Sequence, residues 1–117
     1  MIDASTTGAG GTGLTGQVTA ETFERRVLGA PGRVVLECTA PWCPACRRLA
    51  PVVERVADDL EGRVAFYRLD TDLDPELAAR YQIRTVPALV RFWGGQPRGA
   101  LVGFRPQSEV QAFALGG

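Results

Sequence analysis

The seven residues RVVLECT, at Arg33–Thr39, constrain the fold of this chain more than any other stretch. They are mostly apolar and β-branched, and they show no alternation of apolar and polar side chains. This pattern is typical of a strand buried on both faces, as in a parallel sheet covered by helices. The chain has 117 residues and is 45% hydrophobic, so it is long enough for one domain with a substantial core. We therefore expect a single α/β domain built around this strand.

The segments on either side of this strand predict alternating helices and strands. Apolar residues recur at helical spacing from Leu49 to Leu60, and Pro51 should kink that helix. Predicted helices cover residues 20–28, 43–60, 74–81 and 108–115, and predicted strands cover residues 33–39, 64–69, 88–93 and 99–104, with a weak edge strand near residues 14–18. The last two strands are joined by Gly94-Gly95-Gln96-Pro97, a hairpin signal. This order predicts a parallel βαβ unit closed by an antiparallel hairpin.

The first residues of the chain differ from the rest. Residues 5–16 are mostly glycine and threonine with one leucine, too few apolar side chains to offset the entropy of ordering them. We expect residues 1–16 to be a flexible arm and residues 17–117 to form the domain. Residues 1–20 contain no basic residue and no apolar run, so neither a secretory signal nor a membrane anchor is expected. The expected compartment is a reducing cytoplasm.

The charged residues balance, with 13 basic and 13 acidic side chains. No excess of positive charge favours a nucleic acid or an anionic membrane as a partner. All 13 basic residues are arginine, and histidine and lysine are absent. Because arginine keeps its proton under working conditions, an internal base must be a carboxylate, a thiol, a tyrosine, water or the amino terminus.

Cys43 and Cys46 lie three positions apart in TAPWCPACRRLAP, where the buried strand passes into a helix. Pro44 suits the first helical position, so Cys43 should lie at the helix N-terminus. Free N–H groups and the helix dipole there favour a thiolate, which is the nucleophilic form. One helical turn brings the two Cα atoms about 5–6 Å apart, within the range of a disulfide. The pattern predicts Cys43 as the attacking thiol and Cys46 as the resolving thiol.

Other interpretations of this pair are weaker. A zinc site needs two more ligands, and without histidine only Cys38 and carboxylates remain. A static disulfide is unexpected in a reducing compartment. Two unrelated buried thiols are the remaining alternative. Cys38, on the buried strand, is expected to act as a small buried hydrophobe, and we expect neither a metal nor a bound cofactor.

The sequence resembles the thioredoxin family from residue 34 to residue 104, and less distinctly through the last helix. The matching features are APWC-x-x-C, the helix proline Pro51, Asp72 and Pro75, IRTVP ending at Pro87, the FWGG turn, and Gly103. The resemblance implies the thioredoxin fold, with a central mixed sheet of four to five strands flanked by helices. It also implies a protein-disulfide reductase that acts as a monomer on disulfide-containing client proteins and is recharged by a thioredoxin reductase.

The resemblance also implies a substrate site. The Val86–Pro87 peptide bond would be cis and would face the dithiol, which leaves the backbone N–H and C=O of Val86 free to pair with an extended substrate strand. A shallow apolar docking groove would be formed by Trp42, Val86, Pro87, Val102 and Gly103. The alternatives are ordinary packing for Trp42 and a plain proline at the start of a strand for Pro87.

Glu37 occupies the position where thioredoxins bury an aspartate beneath the dithiol, so the resemblance implies a catalytic role as proton acceptor for Cys46. It is also the only internal base that the sequence places near Cys46, since histidine and lysine are absent. We expect Arg68 to pair with Glu37, hold it ionised and lower its pKa. The alternative is a structural Glu37–Arg68 pair with no part in catalysis.

Other features depart from the family pattern. Pro44-Ala45 replaces the usual Gly-Pro between the cysteines, which should raise the redox potential from about −270 mV to about −230 mV. Thr39 replaces a common tryptophan, and Arg47 and Arg48 are expected to form a solvated helix face. Two alternative functions therefore stay open: a more oxidising or glutathione-coupled oxidoreductase, and a non-catalytic module that binds partners through the groove.

Overall fold

A computed structural model of the chain describes residues 14–116. The elements are β1 (Leu14–Val18), α1 (Ala20–Phe23) with a π-helical continuation (Glu24–Leu28), β2 (Arg33–Thr39), α2 (Pro44–Asp59), β3 (Val64–Asp70), α3 (Pro75–Arg80), β4 (Ala88–Trp93), β5 (Gln96–Val102) and α4 (Gln107–Leu115). The predicted order of helices and strands is confirmed. Residues 1–13 of the predicted arm lie outside the described residues, while residues 14–16 belong to β1.

The five strands form one mixed sheet in the order β1-β3-β2-β4-β5. β2 pairs in parallel with β3 and antiparallel with β4, so it is the central strand. β5 pairs antiparallel with β4 and forms one edge, while β1 pairs in parallel with β3 and forms the other. The predicted mixed sheet flanked by helices, with its parallel unit and its antiparallel hairpin, is confirmed.

Alternate side chains of β2 enter two separate cores. Val34 and Leu36 pack with residues of α1 and α3, whereas Val35 packs with residues of α2 and α4. Each fully buried aliphatic side chain of this kind stabilises the fold by roughly 1.5–3 kcal/mol. Because side chains alternate along a strand, Glu37 and Thr39 lie on the same face as Val35, beneath α2.

Helix α2 begins directly after Cys43 and runs for 16 residues, continuing through Pro51. Its buried side faces the sheet through Leu49, Val53 and Val56. The helix stops before Gly62, whose φ of 87° suits only glycine well. None of the helices between residues 14 and 116 is long and apolar enough to cross a membrane.

The hairpin between β4 and β5 differs from the sequence prediction. Its turn consists of two residues, Gly94 and Gly95, and β5 covers Gln96–Val102 instead of residues 99–104. Both glycines have positive φ, 62° and 79°, as a two-residue type I′ turn requires, so strand pairing resumes directly after them. Pro97 is tolerated because β5 is an edge strand.

Helix α3 ends in a conformation that is unfavourable for its residue. Gln82 has a φ of 59°, and the N–H of Ile83 donates to the carbonyl oxygen of Ala78 at 2.9 Å. Glycine is preferred at such a helix end, because the left-handed conformation costs a residue with a β-carbon roughly 1–2 kcal/mol.

Gln82→Gly is expected to raise the free energy of unfolding by about 1 kcal/mol, since part of the relieved strain is offset by the greater freedom of glycine in the unfolded chain. Urea unfolding followed by tryptophan fluorescence measures the change. Gln82→Ala keeps the β-carbon and is the matched control, expected to leave stability nearly unchanged. Equal stabilities of the glycine and alanine variants would contradict the prediction.

Candidate active site

Cys43 and Cys46 lie at the start of α2. Cys43 is the N-cap residue and Pro44 is the first helical residue, where its missing N–H needs no partner. The backbone N–H of Cys46 donates to the Cys43 sulfur at 3.1 Å. The predicted position of Cys43 at a helix N-terminus is therefore confirmed, and the helix supplies a backbone donor that stabilises negative charge on its sulfur.

Both cysteines have free thiols, and both side chains are buried. The Cys43 sulfur lies 3.7 Å from the carbonyl oxygen of Val86, and Ala40, Ala45 and Val86 pack around the pair. Burial raises the pKa of the Cys46 thiol, and a hydrogen bond with Cys43 raises it further. Cys46 must therefore give up a proton before it can attack a disulfide.

Glu37 is fully buried beneath α2 and pairs with Arg68. The Arg68 Nε donates to Glu37 Oε1 at 2.8 Å, and the Arg68 Nη2 lies 2.8 Å from the same oxygen. Burial raises the pKa of the Glu37 carboxyl above its ordinary value, and the opposing effect of Arg68 is smaller. The predicted ion pair is confirmed, and Arg68 acts to lower this pKa, as predicted. The expectation of a lowered pKa overall is wrong, because removing the carboxylate from water outweighs the attraction of one guanidinium.

A cleft of about 230 Å³ lies between Cys46 and the Arg68 side chain. Thr39, Pro41 and Asp70 also line it. Within residues 14–116 no hydrogen bond joins Glu37 to Cys46, and Glu37 does not line the cleft, but the cleft has room for water beside Cys46 and Arg68. No sequence pattern indicates this cleft, because its lining comes from separate strands and from α2.

The predicted groove residues meet at the same end of the sheet. The Val86–Pro87 peptide bond is cis, as expected, and Val86 contacts Cys43. The N–H of Gly103 donates to the Pro87 carbonyl oxygen at 2.8 Å, which places the end of β5 next to the cis bond. Val102 is 49% exposed and Trp42, directly before Cys43, is 64% exposed. The structure thus leaves two apolar side chains accessible, one directly before Cys43 and one directly before Gly103.

Cys38 lies in the other core of the protein, among residues of α1 and α3. Burial, together with the charge of Glu37, raises the pKa of this thiol to about 12. Its predicted role as a small buried hydrophobe is confirmed. Among the described residues, no group of three or more cysteine, aspartate or glutamate side chains is placed to hold a metal ion.

Arg48 and Phe104 form a contact that the sequence did not indicate. The Arg48 guanidinium lies 5.8 Å from the centroid of the Phe104 ring, whereas Arg47 points elsewhere and donates to the Pro41 carbonyl oxygen at 2.8 Å. Arg48 is exposed, as predicted for a solvated helix face, but it covers an aromatic ring beside the groove. An aromatic residue directly after Gly103 was the only sequence signal.

Comparisons with known proteins establish the family. The thioredoxin family model matches residues 15–115. The chain belongs to the thioredoxin family. It is 40% identical over 94 residues to thioredoxin 1 of Nostoc sp., which covers 80% of this chain and 88% of the relative. It is 36% identical over 94 residues to a thioredoxin of Staphylococcus aureus, with the same coverage of 80% and 88%.

A solved structure supports the same conclusion. A mutant thioredoxin from Halobacterium salinarum is 29% identical, covers 85% of this chain and 87% of its own, and superposes with a TM-score of 0.77. The thioredoxin fold and the enzyme class implied by the sequence resemblance are confirmed. The protein is a thioredoxin-type thiol-disulfide oxidoreductase.

The raised pKa of Glu37 predicts that this thioredoxin loses stability as the pH rises. Between the ordinary pKa of glutamate and the raised value in the folded protein, the folded state binds more protons than the unfolded state, so the free energy of unfolding falls with increasing pH. Glu37→Gln should match the wild type near pH 4 and be more stable at neutral pH. Within this window the difference should grow by up to about 1.4 kcal/mol per pH unit.

Urea unfolding at a series of pH values between 4 and 8 tests this expectation. Glu109→Gln is the matched control, because Glu109 also pairs with an arginine, Arg105 at 3.3 Å, but its side chain is 53% exposed. This control should keep the pH dependence of the wild type. A Glu37→Gln variant with the wild-type pH dependence would show that another group is responsible.

Proposed function

We propose that this protein is a cytoplasmic, monomeric thioredoxin that reduces disulfide bonds of client proteins and is recharged by a thioredoxin reductase. The observation that carries the proposal is the placement of Cys43 as the N-cap of α2, with its sulfur accepting the N–H of Cys46 at 3.1 Å. This arrangement gives the attacking sulfur a backbone hydrogen-bond donor and keeps the second sulfur within one helical turn of the first.

The reaction follows from the different positions of the two thiols. The Cys43 thiolate attacks one sulfur of the client disulfide, that S–S bond breaks, and the departing client sulfur takes up a proton. Cys46 then loses its proton and attacks the Cys43 sulfur, which closes the Cys43–Cys46 disulfide and releases the second client thiol. Two electrons and two protons pass from the dithiol to the client, and the reductase returns them.

We assign to Glu37 the role of proton acceptor for Cys46. Three observations support this role: Glu37 lies on the α2 face of β2, burial raises its pKa and so makes it a stronger base, and a cleft with room for water is lined by both Cys46 and Arg68, the residue hydrogen-bonded to Glu37. Arg68 would keep the carboxylate in place through its hydrogen bond at 2.8 Å. The proton would travel from the Cys46 sulfur through water to the Glu37 carboxylate.

The client would bind as an extended segment across the groove. The backbone of Val86 would pair with it, and Trp42, Pro87, Val102 and Gly103 would contact its side chains. The exposure of Trp42 and Val102 supports this assignment, since large apolar side chains left in water beside a reactive group are typical of a binding surface.

Catalysis by the dithiol is tested by insulin reduction with a thioredoxin reductase and NADPH. We expect rapid turnover by the wild type, none by Cys43→Ser, and accumulation of trapped client disulfides on Cys46→Ser, because the mixed disulfide then lacks its resolving thiol. Activity with glutathione alone would instead favour a glutathione-coupled oxidoreductase. Absence of any reduction would favour a non-catalytic binding module.

The role of Glu37 is tested by the pH dependence of the resolving step. Glu37→Gln should slow that step about tenfold or more at pH 7, because Cys46 then lacks its proton acceptor. The deficit should shrink as the pH approaches the pKa of Cys46 itself. Glu109→Gln, at an exposed carboxylate paired with Arg105, is expected to behave as the wild type. A profile for Glu37→Gln that coincides with the wild type would leave Glu37 and Arg68 as a structural pair.

A more oxidising oxidoreductase is the second candidate, favoured by Pro44-Ala45 between the cysteines. The residues at this position influence how well the reduced thiolate is stabilised, so we expect a potential of about −230 mV rather than about −270 mV. Equilibration with glutathione redox buffers measures it. The double variant Pro44→Gly, Ala45→Pro should lower the potential, and a wild-type value near −270 mV would contradict the expected effect of the insert.

A further inference from the structure

One side of the groove ends in an exposed aromatic ring. Phe104 is 42% exposed and follows Gly103, whose N–H is bound to the Pro87 carbonyl oxygen at 2.8 Å. Phe104 and Val102 therefore flank the cis bond next to the dithiol. We call Arg48, Val102 and Phe104 together the Phe104 rim. The Arg48 guanidinium lies 5.8 Å from the centroid of the Phe104 ring and completes this side of the groove.

The Phe104 rim carries an uncompensated positive charge. Among residues 14–116, Arg48 forms no ion pair, whereas the neighbouring Arg105 is paired with Glu109 at 3.3 Å. Arg47 is turned toward the Pro41 carbonyl oxygen and lines a cleft together with Asp70. Arg84 lines a pocket with Val102 and is likewise without an ion pair among residues 14–116, but of these two arginines only Arg48 contacts the Phe104 ring. Arg48 lies two residues after Cys46 on α2.

We propose that Arg48, held over Phe104, selects disulfide clients whose segment in the groove carries an aspartate or glutamate near the reacting cysteine. This inference rests on the proposed reduction of protein disulfides and adds a substrate preference to it.

Side chains two positions apart in an extended segment face the same way, so a carboxylate two residues from the client cysteine can reach the rim. There it meets an exposed guanidinium that lies beside an aromatic ring. A basic side chain at the same position is repelled.

Synthetic peptides with one cysteine linked by a disulfide to a chromophoric aromatic thiol test this preference. Glu, Gln or Lys is placed two residues before the cysteine in one series and two residues after it in another. The full chain is reduced beforehand, and the release of the aromatic thiol gives the second-order rate constant of attack by Cys43. In at least one series we expect Glu to react about threefold faster than Gln, and Lys more slowly, at low ionic strength. The rates should converge at about 1 M salt.

Variants of Arg48 show whether this residue causes the preference. Arg48→Met keeps an apolar side chain over Phe104 and should bring the Glu-to-Gln rate ratio to about one, while Arg48→Glu should invert it. Arg55→Gln is the matched control, because Arg55 is an exposed arginine of α2 that pairs with Asp59 at 3.9 Å. It should keep the wild-type ratio.

A ratio of about one for the wild type in both series, or a ratio that survives Arg48→Met, overturns the inference. Failure of the wild type to react faster than Cys43→Ser would instead overturn the proposed function.

Discussion

The central position of β2 fixes the geometry of the active site. β2 pairs with β3 on one side and β4 on the other, and a layer of helices covers each face. Residues 40–43 alone connect β2 to α2, so the N-terminus of α2 must lie at the carboxyl end of β2. β4 runs antiparallel to β2, with Cys38 opposite Ala88, so the residues that precede β4 arrive at the same end. The dithiol and the Val86 carbonyl meet there as a result of strand pairing.

The same central strand carries a charge that weakens the fold. Glu37 stands opposite Arg68 in the pairing of β2 with β3, and this register brings the guanidinium to the buried carboxylate. The attraction of one guanidinium does not offset the hydration free energy that the carboxylate loses on burial, as the raised pKa of Glu37 shows. An apolar side chain of similar volume would suit the core between sheet and helix better. A group of this kind is useful where a proton must be accepted away from bulk solvent.

The sequence predicted those features that depend on local patterns. The spacing of apolar residues predicted the helices and strands, and Pro44 predicted that a helix starts directly after Cys43. The hairpin differed because Pro97 resembles a turn residue, whereas an edge strand accepts it. The predicted direction of the overall pKa shift of Glu37 was wrong, because the depth to which its carboxyl is buried is a property of the folded chain. The contact of Arg48 with Phe104 joins residues 56 positions apart, and only packing determines it.

The sheet also separates the sulfur atoms of the protein into two groups. Cys38 points into the core formed with α1 and α3, while Cys43 and Cys46 lie on the side of α2. With its pKa raised to about 12, Cys38 holds almost no thiolate at neutral pH and has no access to the other two sulfurs. The third thiol is therefore kept apart from the pair that the proposed reaction uses. A cycle between the Cys43–Cys46 disulfide and the dithiol would leave Cys38 in its reduced form from one turnover to the next.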